Sequence, residues 1–133
     1  MSSQLKEHPA LATPYALGQE QIDSFRRNGH VYLPAVASRD EVSHYRQCIN
    51  RAAEAHGQKD AAPLQHRDVY GKAFLTHMNL WTKDPATRAF VLGKRFARIA
   101  AELLGVDGVR IYHDQALFKE PGGGLTPWHQ DQY

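Results

Sequence analysis

Residues 112–133 read YHDQALFKEPGGGLTPWHQDQY, and the way this stretch alternates decides the fold. Side chains of a strand point to opposite faces with period two. From Val109 to Lys119 that places Ile111, His113, Gln115, Leu117 and Lys119 on one side, and Arg110, Tyr112, Asp114, Ala116 and Phe118 on the other. Neither side is wholly apolar, so one of them is expected to line a polar cavity instead of a dry core. Pro121-Gly-Gly-Gly124 supplies a turn, and Leu125 to Tyr133 is expected to run back as the next strand. His129 and Asp131 would then project from one face of that strand, about 7 Å apart along the chain, with Gln130 on the other. A neutral imidazole nitrogen and a carboxylate oxygen so placed can take two adjacent corners of an octahedron. A second His would complete the facial triad that leaves positions open on ferrous iron.

His-x-Asp by itself is a weak signal. With eight histidines in the chain, about 0.4 chance matches are expected on composition. A second match does occur, His66-Arg67-Asp68. It has the form of a protein-kinase catalytic loop, but Ala73 stands where that loop needs Asn and no Gly-rich phosphate loop precedes it. It reads as a charged loop leading into Val69-Tyr70. There is no Gly-x-Ser-x-Gly elbow for a serine hydrolase. Zinc lacks clustered Cys and His at ligand spacing. The single cysteine, Cys48, excludes an internal disulfide and fits a reducing compartment. Placed in a helix near Tyr45 and Ile49, it reads as a small buried filler. No helix with Lys-Ser/Thr follows the glycines of 121–124, so they read as a turn and not as a phosphate cradle.

The rest of the chain supports one globular domain. A hydrophobic fraction of 42% against 23% charged residues argues against disorder, and 133 residues suffice for one core. Net charge is only +2 with acids and bases interleaved, so neither nucleic acid nor an anionic membrane is an expected partner. The densest basic stretch, Lys94-Arg-Phe-Ala-Arg98, reads as a solvated helix face. Residues 1–9 lack the apolar core of a secretory signal and no 18-residue apolar run occurs, which makes a cytoplasmic location the expectation.

Residues 1–17, with Pro9 and Pro14, read as a flexible lead-in, and 18–133 as the domain. Gln19 to Asn28 is expected to be helical through Ile22 and Phe25, ending at Asn28-Gly29, with a short strand at His30–Pro34. Ser38-Arg-Asp-Glu41 is a capping box that starts a helix through Val42, Tyr45, Ile49 and Ala53 to about Gly57. A polar loop spans Gln58 to His66, and Val69 to Trp81 reads as strand-like with a bend. Asp84-Pro85 starts further helix carrying Phe90, Val91, Phe96, Ile99, Ala100, Leu103 and Leu104, interrupted near Gly93 and stopped by Gly105. Helices come first and strands last, an α+β order.

The stretch Tyr112 to Tyr133 resembles the phytanoyl-CoA dioxygenase family of non-haem iron, 2-oxoglutarate-dependent oxygenases. In that family a strand with Gln and a downstream Lys or Asn leads through a Pro-Gly turn into Trp-His-x-Asp. Gln21 to Pro34 and Ser38 to Val42 are similar to its opening helix, Asn-Gly break, strand and next helix start. The resemblance implies N-terminal helices packed on part of a double-stranded β-helix, a cupin-like jelly roll, left incomplete because about four of eight strands can be counted. It implies His129 and Asp131 as Fe(II) ligands and Lys119 near the carboxylates of 2-oxoglutarate. It places Gln115 at the cofactor or substrate face, and His77 and Asn79 in a segment facing the co-substrate. Trp128 would be a packing residue. The implied reaction consumes O2 and 2-oxoglutarate and hydroxylates a C–H bond of a small or lipid-like molecule. In the family, the third ligand, a His, and the Arg that clamps 2-oxoglutarate follow His-x-Asp, whereas nothing here follows Tyr133. The chain is therefore expected to be the N-terminal half of such a domain, inactive alone. Its partner would be the missing half, or another copy at an open sheet edge. The competing readings are a non-catalytic binding module on the same scaffold and a cupin-like metal protein that does not use 2-oxoglutarate.

Overall fold

The structure is a computed structural model that describes residues 8–57 and 62–129. Asp131, residues 1–7 of the lead-in and residues 58–61 of the expected polar loop lie outside the described residues. The helices begin and end where the sequence carries caps. In α1, Gln19–Asn28, the Gly18 N–H donates to the Gln21 side chain at 2.9 Å, and Gly29 closes the helix at φ 74°, where glycine has no Cβ to clash. In α2, Arg39–His56, Ser38 Oγ accepts from the Glu41 N–H at 3.2 Å while the Ser38 N–H donates to Glu41 Oε2 at 2.7 Å. Both arms of the capping box are made. Asp84 caps α4, Pro85–Val91, by accepting from the Thr87 N–H at 2.6 Å. Gly93 and Gly105 bracket α5, Lys94–Leu104.

The region Val69 to Trp81 is the first departure from expectation. Asp68 accepts from the Gly71 N–H at 2.6 Å and so starts a short helix, α3, Val69–Ala73. Only then comes a strand, β1, Leu75–Met78, followed by a left-handed Asn79 at φ 55° and a 3-10 turn at Leu80–Thr82. Local capping by Asp68 outcompetes the strand tendency of Val69 and Tyr70. His30–Pro34 forms no strand: the segment is extended, Tyr32 is 83% exposed, and the chain turns at Ala35 with φ 54°. Among the described residues no strand pairs with it.

The strand expected over Val109–Lys119 is short, β2, Gln115–Phe118, and Leu125–His129 is not a strand. β2 pairs antiparallel with β1 and not with the segment after the turn. The reason is the turn itself. Glu120-Pro121-Gly122-Gly123 closes with the Gly123 N–H on the Glu120 carbonyl at 3.0 Å and Gly122 at φ 76°, the Pro-Gly arrangement of a type II turn. The chain then leaves along α3, where the Gly124 N–H donates to the Lys72 carbonyl at 2.7 Å. A Cβ at Gly123 would come within 2.9 Å of that carbonyl oxygen. The described residues are therefore α+β with a two-stranded antiparallel sheet.

The register sets Leu75 opposite Phe118, Thr76 opposite Leu117, His77 opposite Ala116 and Met78 opposite Gln115. Opposed residues share a face. One face, with Ala116 and Phe118, packs on the buried cluster Ala52, Ala53 and Leu80 and so joins the sheet to α2. The other carries Met78, Gln115 and Leu117, all exposed.

The helical end is fastened by Arg95, which is 8% exposed and corrects the reading of residues 94–98 as a solvated face. Its guanidinium donates to the carbonyls of Thr13 and Val36, each at 2.8 Å, and to both Glu41 oxygens at 2.9 Å. Those hydrogen bonds, then the Ser38 N–H, hold the Glu41 carboxyl at about 2. Arg98 does remain at the surface, paired with Glu102 at 2.6 Å. Within the described part of the lead-in, Leu11 is 3% exposed, its carbonyl accepts from the Arg95 N–H at 2.8 Å, and the Tyr45 hydroxyl donates to the Pro9 carbonyl at 2.5 Å. Among the described residues, no helix is long and apolar enough to cross a membrane.

Candidate functional site

The candidate residues lie where β2 ends and the chain turns back. One step beyond the Leu75–Phe118 pair, Lys119 comes opposite Phe74, and its Nζ stands 4.2 Å from that ring centroid. Nζ also donates to the Gly124 carbonyl at 3.0 Å and to Thr126 Oγ1 at 3.2 Å. Lys119 thus grips the return segment that leads to His129. The resemblance implied Lys119 near the carboxylates of 2-oxoglutarate; the structure leaves Lys119 exposed, with neutral acceptors and an aromatic face around it. Among the described residues no carboxylate lies within ion-pair distance of it.

A neighbouring ion pair braces the turn. Arg67 bonds to Glu120, the residue after Lys119, and also donates from Nε to the Ala62 carbonyl at 2.6 Å. So the His66-Arg67-Asp68 segment contributes twice: Asp68 caps α3, and Arg67 ties the loop before it to the end of β2. Phe74, Thr126, Lys72 and Arg67 all position the candidate site, and sequence reasoning missed them. Only the Arg67 to Glu120 charge complement was visible there, and nothing local marked the two as neighbours.

His129 is exposed at the end of the return segment, with Nδ1 2.8 Å from the Pro127 carbonyl. A carbonyl can only accept, so Nδ1 carries a proton and donates it to Pro127. Metal-binding histidines are commonly oriented in this way, by one ring nitrogen on a backbone carbonyl. Trp128 is not packed: it stands fully in solvent, as Leu125 nearly does.

Gln115 shares the exposed sheet face with Leu117, on the side expected from the alternation. His77 does not join it. It is 7% exposed, faces α2, stacks edge-on to Phe118 at 5.6 Å and borders a cavity of about 380 Å³ beside Gly57. A Cβ on Gly57 would lie 2.4 Å from the His77 ring, so the glycine is what admits the imidazole. Asn79 sits at the bend after β1, where its N–H donates to the Asp114 carbonyl at 2.9 Å and its own carbonyl accepts from Thr82. The sheet therefore divides the candidate cofactor residues: Gln115 lies on the exposed face toward which Lys119 alternates, and His77 on the face packed against α2.

The model of the phytanoyl-CoA dioxygenase family matches residues 25–133. No curated protein and no solved structure matches the chain.

Proposed function

Since the chain belongs to the phytanoyl-CoA dioxygenase family, we propose that it provides the near half of a non-haem Fe(II), 2-oxoglutarate-dependent oxygenase site. The observation that carries this reading is Lys119, at the end of β2, bonded to the return segment that carries His129: a cation held by neutral groups, and an imidazole oriented by the Pro127 carbonyl. His129 and Asp131 would hold the iron. A second His would complete the facial triad, and an arginine would clamp the co-substrate. With O2 and 2-oxoglutarate, the iron would supply oxidation of a substrate C–H to C–OH, with succinate and CO2 as co-products.

The residues on the page have separate tasks. Lys119 offers Nζ to a carboxylate of 2-oxoglutarate, exchanging two neutral hydrogen bonds for a charge-assisted one. The Phe74 ring keeps the ammonium over the sheet edge. Pro127 holds the His129 tautomer, and the Arg67–Glu120 pair keeps the turn in place. Gln115, on the face toward which Lys119 alternates, lines the pocket floor. The jelly roll belongs to this proposal as well: further strands would cover Met78, Leu117 and Gln115, and the substrate would be a small or lipid-like molecule.

Anaerobic titration of the chain with Fe(II) and 2-oxoglutarate tests it. The expected result is a weak metal-to-ligand charge-transfer band in the visible that disappears in His129→Ala. Lys119→Met should retain iron but require at least about tenfold more 2-oxoglutarate, the scale of one charge-assisted contact. A band unchanged in His129→Ala overturns the iron assignment, and 2-oxoglutarate affinity indifferent to Lys119→Met overturns the anion role.

A further inference from the structure

His44 and Cys48 lie four residues apart on α2, so they share one face of the helix. Cys48 Sγ is 3.6 Å from His44 Nε2. A third candidate ligand arrives from the lead-in, 36 residues earlier in the chain: His8 Nδ1 is 3.0 Å from the same His44 nitrogen. All three ligand atoms fall within 4.8 Å of one another. Tyr45 makes this meeting structural, because its hydroxyl holds the Pro9 carbonyl at 2.5 Å and its ring sits edge-on to His44, 5.1 Å between centroids. Leu11, buried beyond it, fastens the same segment.

The distances suit a metal ion. Around tetrahedral zinc, with Zn–N and Zn–S bonds of about 2.05 and 2.3 Å, ligand atoms are separated by about 3.3 Å for N···N and about 3.6 Å for N···S. The cluster has 3.0 and 3.6 Å. Only small movements of two half-buried imidazoles would be needed. The Arg51 guanidinium, 3.3 Å from Cys48 Sγ, places a positive charge beside a sulfur that would bind as thiolate. A cavity of about 390 Å³, bordered by His8, Cys48, Arg51 and Asp84, adjoins the cluster and gives an ion access to the fourth position.

We propose that His8, His44 and Cys48 form a binding site for a borderline-soft divalent ion of the zinc type, with its fourth position open to the cavity. Two imidazoles and a thiolate favour such an ion over a hard oxygen-seeking one. The site shares no residue with the His129 return segment, and its effect is to clasp the lead-in to α2.

Chelator-stripped protein titrated with Co(II) provides the test. One ion should bind with a thiolate-to-cobalt charge-transfer band in the near ultraviolet and intense tetrahedral bands in the visible, and Zn(II) should displace it. Cys48→Ala, a small substitution in a buried position, should remove the charge-transfer band. His8→Ala, on the half-buried lead-in and outside any helix, should weaken Co(II) by at least about tenfold without unfolding the domain. His129→Ala should leave the band intact. Co(II) binding without a thiolate band, equal affinity in His8→Ala, or loss of the band in His129→Ala each overturns the assignment.

Discussion

Two cations show how differently the two ends of this molecule are built. Arg95, at the helical end, is buried and meets a carboxylate on both guanidinium arms, with two backbone carbonyls accepting from it as well. Lys119, at the sheet end, is exposed and meets only neutral oxygens and the Phe74 ring. A buried charge without a carboxylate would be costly, so Arg95 comes with Glu41 as an internal counter-ion and its work is structural. A cation at the surface bears no such penalty, and its charge remains available to the co-substrate carboxylate proposed above. The contrast separates the part of the chain that holds the fold from the part proposed to hold a ligand.

Removing Arg95 should produce the largest effect. Arg95→Met leaves the Glu41 carboxylate, the Thr13 and Val36 carbonyls and the lead-in without their common donor, and should cost about 3–5 kcal/mol in urea unfolding. A loss below about 1 kcal/mol would mean that the helical end does not depend on this pair.

Acid probes the same contact less drastically. The Glu41 carboxyl is held at about 2 against 4.5 in the unfolded chain, chiefly by its hydrogen bonds to Arg95 and then by the Ser38 N–H. A lowered carboxyl pKa stabilises the fold above the unfolded value and ceases to do so as pH falls through the folded one. Stability should therefore hold down to pH 4.5 and decline toward pH 2, with roughly 3 kcal/mol from this group. The Glu41→Gln protein should show a shallower acid limb, and an unchanged limb would count against the assignment. Lys119→Met should matter least to the fold, with less than about 1 kcal/mol lost, because an exposed cation in water contributes little. A larger loss would place Lys119 with Arg95 as a structural cation.

Legibility from sequence followed the range of the interaction. Ser38, Asp84-Pro85, Gly29 and Gly105 announce helix ends because a cap is made within three or four residues of itself. Asp68 was equally local, yet the β-branched and aromatic residues after it pointed to a strand. The long-range facts were not available. Nothing near Arg95 distinguishes it from Arg98, but one is inside and the other outside, because the Glu41 carboxylate arrives from α2. Likewise His44-x-x-x-Cys48 could be read as helical spacing, but its third member, His8, lies 36 residues away.

The candidate site was legible in the same uneven way. Alternation put Gln115 and Lys119 on one side, and Trp-His-x-Asp with its Pro-Gly approach pointed to the family that matches residues 25–133. It could not say that His77 faces the opposite way. That depends on the pairing of His77 with Ala116 and on which face of the sheet Ala52, Ala53 and Leu80 cover.

From sequence alone came the identity of the chemical groups, the limits of α1, α2, α4 and α5, and the family, since each rests on residue type and spacing along the chain. Which cation is buried, which strand pairs with which, and which face of the sheet is open were decided only by the tertiary structure. Those outcomes depend on apolar area and carboxylates brought together from distant parts of the chain, and a one-residue change of register would reverse every one of the sheet's faces.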